Sequence, residues 1–176
     1  MRRLVLLAPA VALLAACSPS VVTGTATPSP PSASTAAGVG GLPPDPEPGA
    51  TEDCPYLGSE FVAESNGQHV SKVRVSADQP HPACFFYRPD GKVQLTVRVY
   101  VGDAKTATAL VNKAAPVDSS NPASDPSGWK GGYLSTDDGA VYAVAKGSAA
   151  VIATTNQKQS VKARTVVKKT ISALKL

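Results

Sequence analysis

Lys92-Val93-Gln94-Leu95-Thr96-Val97-Arg98-Val99-Tyr100-Val101 is the stretch that decides how the chain folds. Apolar residues fill every odd position from 93 to 101, and polar or amphipathic ones fill the even positions between them. Successive side chains of a strand point to opposite faces, so this period of two predicts a strand with one buried and one wet face. Such alternation belongs to an antiparallel sheet covered on one side. The strand is entered through Pro89-Asp90-Gly91, which has hairpin-turn chemistry. Before that turn, Ala83-Cys84-Phe85-Phe86-Tyr87-Arg88 reads as a partner strand. Val73 and Val75, alternating with Lys72, Arg74 and Ser76, read as a third, set off by a turn at Pro80-His81-Pro82.

Helical signals flank this meander. Asp53-Cys54-Pro55 predicts a helix start, with Asp53 as N-cap, Pro55 in the first turn, Leu57 and Phe61 on one face and Asn66-Gly67 at the end. Asp103 predicts the N-cap of a second helix, in which Ala104, Ala107, Leu110, Val111 and Ala114 fall near helical spacing and which Pro116 closes. Val117 to Lys130 is a long loop rich in Ser, Asn, Asp and Pro, a length that in a compact domain usually carries function or mobility. A second meander follows: Tyr133-Leu134-Ser135, a turn at Asp137-Asp138-Gly139, Val141 to Ala145, a turn at Gly147-Ser148, and Val151 to Thr155. Asn156 and Gln159 resemble a capping box opening a last helix, with Ala163, Val167, Ile171 and Leu174 on one face. Runs of hairpin-connected strands separated by helices predict an α+β fold, an antiparallel sheet of about six strands in two meanders with helices packed on one face.

The N-terminus predicts where the domain works. Arg2 and Arg3 precede an apolar run from Leu4 to Leu14, and Leu14-Ala15-Ala16 stand directly before Cys17. A positive segment, a short apolar core and small residues at the cut are the requirements of an export signal. The run is too short for a membrane span, which needs roughly 20 apolar residues. Leu-Ala-Ala-Cys resembles the bacterial lipobox, which implies cleavage of residues 1–16, a diacylglycerol on Cys17 and residence at the extracytoplasmic face of the cell membrane. Two or three acyl chains hold a protein stably, at about 0.8 kcal/mol per buried CH₂. Residues 17–50 are dominated by Pro, Ser, Thr, Ala and Gly, a composition that cannot bury enough apolar surface to fold, so they read as a disordered tether. As a flexible coil such a segment spans on the order of 30 Å, and up to about 100 Å if its prolines hold it extended. Residues 51–176 read as one globular domain.

Removing residues 1–16 from the 176 leaves 160, and the loss of Arg2 and Arg3 lowers the formal charge from +4 to +2. No basic run interleaved with aromatics remains, so nucleic acid is not expected as a partner. With Cys17 assigned to lipid, Cys54 and Cys84 are one potential pair in an oxidising compartment. A bridge would close a loop of about 31 residues, worth roughly 3.5–4 kcal/mol in the chain-entropy model. A thiolate nucleophile or a metal pair are the alternatives. No Cys-x-x-Cys or Cys/His cluster supports the metal, and Arg88 is the sole nearby base able to depress a thiol pKa.

Catalytic signals are sparse. His69 and His81 flank the first strand without a carboxylate-rich motif, and Asp137-Asp138 precede a glycine as hairpin residues do. Ser127 and Lys130 have the Ser-x-x-Lys spacing of penicillin-binding proteins and β-lactamases, yet the accompanying Ser-Asp-Asn and Lys-Thr-Gly elements are missing. There is no dinucleotide, phosphate-cradling or zinc-hydrolase fingerprint, and no cofactor or metal is expected. Trp129 reads first as a residue that pins the long loop to the sheet; alternatively Trp129, Lys130 and Tyr133, beside Gly131 and Gly132, offer a candidate binding edge, which Tyr100 and Arg98 on the wet face of the central strand could extend.

Several segments together resemble an uncharacterised envelope lipoprotein family of actinobacteria, including mycobacteria and corynebacteria. They are Cys54-Pro55-Tyr56-Leu57, Asn66-Gly67-Gln68, Pro82 to Gly91, Ala114-Ala115-Pro116-Val117, Gly128-Trp129-Lys130-Gly131-Gly132 and Thr155-Asn156-Gln157. The resemblance implies a C-terminal domain of unknown function and no catalytic residues. The expected function is a lipid-anchored, non-enzymatic binding or scaffold module engaging an envelope protein or glycolipid. The alternatives are a carrier with an apolar cavity between sheet and helices, and a hydrolase built on Ser127 and Lys130.

Overall fold

The computed structural model describes residues 41–176; the signal segment, Cys17 and the tether up to residue 40 lie outside the described residues. The elements, in order, are α1 (Ser59–Asn66), β1 (Lys72–Val75), β2 (Cys84–Tyr87), β3 (Val93–Val101), α2 (Ala104–Ala114), β4 (Asn121–Ala123), β5 (Lys130–Thr136), β6 (Gly139–Lys146), β7 (Ala149–Thr155) and α3 (Ser160–Leu174). They form a seven-stranded antiparallel sheet in the order β1-β2-β3-β7-β6-β5-β4. The α+β class read from the sequence is the class found, with β4 as a seventh strand inside the long loop. The first meander ends at β3 in the middle of the sheet. From there α2 carries the chain to the far edge, and the second meander returns until β7 pairs with β3 from Leu95↔Thr155 to Val101↔Ala149.

The expectation that helices cover a single face is corrected. Leu95, Val97 and Val99 of β3 share a buried cluster with Val144, Val151 and Ala153, with Val62 of α1, and with Ala163, Val166, Val167 and Ile171 of α3. Residues of opposite parity, Ala143 and Ala150, pack instead against Ala107 and Val111 of α2 and Ala115 at its C-cap. The sheet is thus clad on both faces in its second half. The signal lay in Val141-Tyr142-Ala143-Val144-Ala145 and Ala149-Ala150-Val151-Ile152-Ala153, unbroken apolar runs of the kind strands carry when neither face meets water. Small residues on the α2 side let the helix approach closely. At Gly132 even an added Cβ would meet Ala115 Cβ at 3.1 Å and collide with Ser120 Oγ.

The alternation of β3 also fails at its start, for a local reason. Phe86 pairs with Leu95 but Tyr87 with Val93, so Gln94 is the extra residue of a bulge. Gln94 is buried, whereas Val93 is 39% exposed. The bulge delivers Gln94 into a polar cluster with Asn66 and Thr155, all three buried. Gln94 Nε2 donates to the His69 carbonyl at 2.8 Å, Thr155 Oγ1 donates to Asn66 Oδ1, and Lys162 Nζ donates to the Asn66 carbonyl at 2.8 Å.

Two helix starts differ from those expected. Pro55 to Leu57 form a turn, and α1 begins after Gly58, so Asp53 caps nothing and Leu57 is buried ahead of the helix. α3 follows Gln159 without a side-chain cap, because Asn156 Oδ1 is engaged by Asn66 Nδ2 at 3.2 Å. Other signals correspond to what forms. Gly67 ends α1 at φ 71°, Asp103 Oδ1 accepts from the amides of Lys105 and Thr106 at 2.9 and 3.1 Å, and Gly91 takes φ 79° in the β2–β3 turn. Cys54 and Cys84 are disulfide-bonded, with Cα atoms 5.7 Å apart, tying the segment before α1 to β2.

The folded body also reaches further back than residue 51. Gly49 N–H donates to Val75 O at 2.8 Å and Val75 N–H to Ala50 O at 2.9 Å, so the chain ahead of Thr51 pairs along the outer edge of β1. Among the described residues, no helix is long and apolar enough to cross a membrane.

Candidate functional site

α2 lies on the sheet with a groove along each flank. The first, of about 620 Å³, runs between α2, the loop after it and the β5–β6 ribbon. Its apolar lining includes Val111, Ala115, Val117, Pro122 and Ala145, and its two cations are Lys130 and Lys146. Gly128, Gly131 and Gly147 keep its rim free of side chains. Lys130 opens β5 opposite Ala145, which places it on the α2 side, and it is exposed in the groove's lining. Lys146 ends β6, and its ammonium lies 5.8 Å from the centre of the Trp129 ring. A trough with an apolar floor and two lysines in its lining can accept a ligand that combines an extended or apolar body with an acid.

The second groove, of about 370 Å³, lies on the other flank of α2, between Leu110, Lys113 and Ala114 and the sheet residues Phe85, Thr96, Arg98, Ile152 and Thr154. It is closed at one end by Asp45 and Pro46. Arg98 donates to the Pro44 carbonyl at 2.7 Å and lies 3.3 Å from Asp45 Oδ1, while Lys113 Nζ meets both oxygens of Asp45 at 2.8 Å. The Lys113 hydrogen bond, helped by the charges of Lys113 and Arg98 and opposed by slight burial, holds the Asp45 carboxyl below its ordinary pKa.

The five residues expected to form one surface are dispersed. Trp129 is 2% exposed, packed in the α1/α3-side core, so it anchors the long loop to the sheet and offers no aromatic patch. Its amide donates to Pro126 O at 3.0 Å. Tyr133 lies on that same side, stacked on Tyr142 with ring centres 6.2 Å apart, beside a third groove of about 270 Å³ that Asp125 and Arg164 also line. Tyr142 donates to the Asp125 carbonyl at 2.7 Å, and its burial raises its pKa. Tyr100 is half-buried at the start of α2, where its hydroxyl accepts from Asp103 N–H at 3.2 Å. Lys130 alone reaches the first groove, and Arg98 alone the second. Val111, Ala115 and Lys146, which complete the first groove, carried no signal beyond the helical and strand periods.

Ser127 is exposed outside the first groove's lining, so it is not gathered there with Lys130. His69 is exposed and His81 half-buried, one on each side of β1, and the Asp137-Asp138 pair forms the two-residue turn of the β5–β6 hairpin. Among the described residues, no group of three or more His, Cys, Asp or Glu side chains is placed to hold a metal ion.

The family model described as "Domain of unknown function (DUF2020)" matches residues 38–176. The chain belongs to the DUF2020 family. No curated protein matches it. The DUF2020 match starts before residue 51, in keeping with the contacts that Pro43, Pro44 and Asp45 make on the sheet.

Proposed function

We propose that this DUF2020 chain is a lipid-anchored, non-enzymatic binding module of an actinobacterial cell envelope, held by Cys17 at the outer face of the cytoplasmic membrane and engaging an envelope protein through the groove between α2 and the β5–β6 ribbon. The observation that carries the reading is that groove: about 620 Å³, with an apolar floor and Lys130 and Lys146 in its lining. Between the sheet and the α1/α3 layer the core is filled, with Val62, Val144, Val151, Val166 and Val167 fully buried, and the space beside α2 is open groove. This favours a partner module over a carrier, whose ligand would need a cavity inside that core. The export signal, the Leu14-Ala15-Ala16-Cys17 pattern and the Pro/Ser/Thr-rich segment after it support the placement.

The test is photo-cross-linking from Asn112, on the groove wall, in the intact envelope, followed by mass spectrometry of the adducts. Recovery of one dominant protein, lost in a Lys130→Glu/Lys146→Glu variant, is the expected outcome. Lipid as the sole adduct would instead establish the carrier, and covalent capture of Ser127 by an active-site serine probe would establish the hydrolase. The anchor is tested separately: Cys17→Ser should move the chain from the detergent phase to the aqueous phase on partition.

A further inference from the structure

We infer that the second groove is a binding site for an extended acidic peptide, and that the chain's own segment Pro43-Pro44-Asp45 occupies it as a displaceable internal ligand. The inference is independent of the lipid anchor and of the first groove. The segment Leu42-Pro43-Pro44-Asp45-Pro46-Glu47-Pro48 has a proline at four of its seven positions, so it is extended and lacks most backbone donors. Its backbone can therefore be held chiefly through its carbonyls. The domain presents the donors required: Arg98 Nη2 to the carbonyls of Pro44 and Pro43 at 2.7 and 3.5 Å, and Arg74 Nε and Nη2 to Gly49 O at 3.0 and 2.7 Å. The one acid at its centre is met by two cations from different elements, Arg98 of β3 and Lys113 of α2.

The groove is prepared for this occupant. Arg98 is the more buried partner, its side chain 12% exposed against 70% for Asp45. The cation thus belongs to the body of the domain and the acid to a strip laid over it. Phe85, Leu110, Ala114 and Ile152 continue the floor beyond Asp45, leaving about 370 Å³ that the strip does not fill. A planar guanidinium and an ammonium held this way recognise a carboxylate by paired hydrogen bonds. Exposed ion pairs hold weakly, so such a strip is readily exchanged. A partner's extended acidic segment that also fills the free floor would displace it and free the residues before Thr51 from the edge of β1.

The experiment uses the full chain as it is isolated, in detergent micelles, and a fluorescent peptide of residues 41–48, Gly-Leu-Pro-Pro-Asp-Pro-Glu-Pro, read by anisotropy. Asp45→Asn in the protein removes the internal competitor's charge, and the peptide should then bind on the order of tenfold more tightly than to the unaltered chain, since apparent affinity scales with the open fraction. Binding should be lost when the peptide's own Asp is replaced by Asn, and when Arg98→Gln is added to the opened chain. Unchanged Trp129 emission in each variant shows that the fold persists. Equal affinity for the opened and unaltered chains, no binding to either, or equal binding of the Asn peptide overturns the inference.

Discussion

The side-chain amide of Asn66 donates to the side-chain carbonyl of Gln94 at 3.0 Å, joining the last residue of α1 to the bulge in β3 across 28 positions of sequence. Asn156 Oδ1 at the foot of α3 takes a second hydrogen bond from the same amide at 3.2 Å, and Thr155 at the end of β7 donates to its oxygen. The buried side chain of Asn66 thus ties α1 to two central strands, and its main-chain carbonyl takes Lys162 of α3. Networks of this kind stabilise when complete and cost heavily when broken.

Asn66→Leu leaves Gln94 and Thr155 with buried groups lacking partners, and should lower stability by about 2–3 kcal/mol. Urea unfolding followed by circular dichroism checks this, with an unchanged slope showing that the same body unfolds.

Trp129 is the chain's single tryptophan, so its emission reports its surroundings without ambiguity. Because it is 2% exposed, the emission should be blue-shifted and resistant to iodide in the native state. Trp129→Ala should cost about 3–5 kcal/mol, whereas Lys146→Ala, which removes the ammonium over the ring, should cost under about 1 kcal/mol.

The bridge between Cys54 and Cys84 spans 30 positions of sequence. In the chain-entropy model, its loss through a Cys54→Ser/Cys84→Ser pair should remove about 3.5 kcal/mol. Thermal denaturation of the variant pair against the oxidised protein measures it. Unreduced, unfolded protein should yield no free thiol from either position.

Docking of the Pro43–Asp45 strip should depend on pH in one direction. The Asp45 carboxyl is held below its ordinary pKa in the docked state, chiefly by its hydrogen bond from Lys113. A depressed carboxyl stabilises docking above its free pKa and loses that contribution as pH falls through the lowered value. The amide resonances of Gly49 and Ala50 should therefore move toward free-chain positions below about pH 4. Salt should weaken docking at neutral pH as well, because the pair is exposed.

Much of this architecture was legible in local chemistry. Asp103 with Pro116 bounds α2, Gly67 ends α1, and the turns at Asp90-Gly91 and Asp137-Asp138-Gly139 form where their residue types place them. What escaped was set by long-range contact. Gln94 turns inward because Asn66 and the His69 carbonyl await it, and the period of two carries no notice of that. β4 is only three residues with a proline at its centre, which reads as loop until Gly131 and Gly132 supply a close neighbour. Of the two readings open for Trp129, a binding edge or a pin that holds the loop to the sheet, the second is the one found, although the apolar neighbours that enclose it come from distant elements and carry no local signal. The grooves beside α2 were hidden for the same reason, since each is assembled from at least three separate segments.

The order of the sheet leaves β1 and β4 at its two rims, and both are blunted. Along β1, Gly49 and Ala50 engage the amide and carbonyl of Val75. At β4, Pro122 has no amide hydrogen with which to recruit another strand. Neighbouring copies therefore find no continuous ladder on which to stack end to end. The same two devices that finish the sheet protect it from runaway self-association.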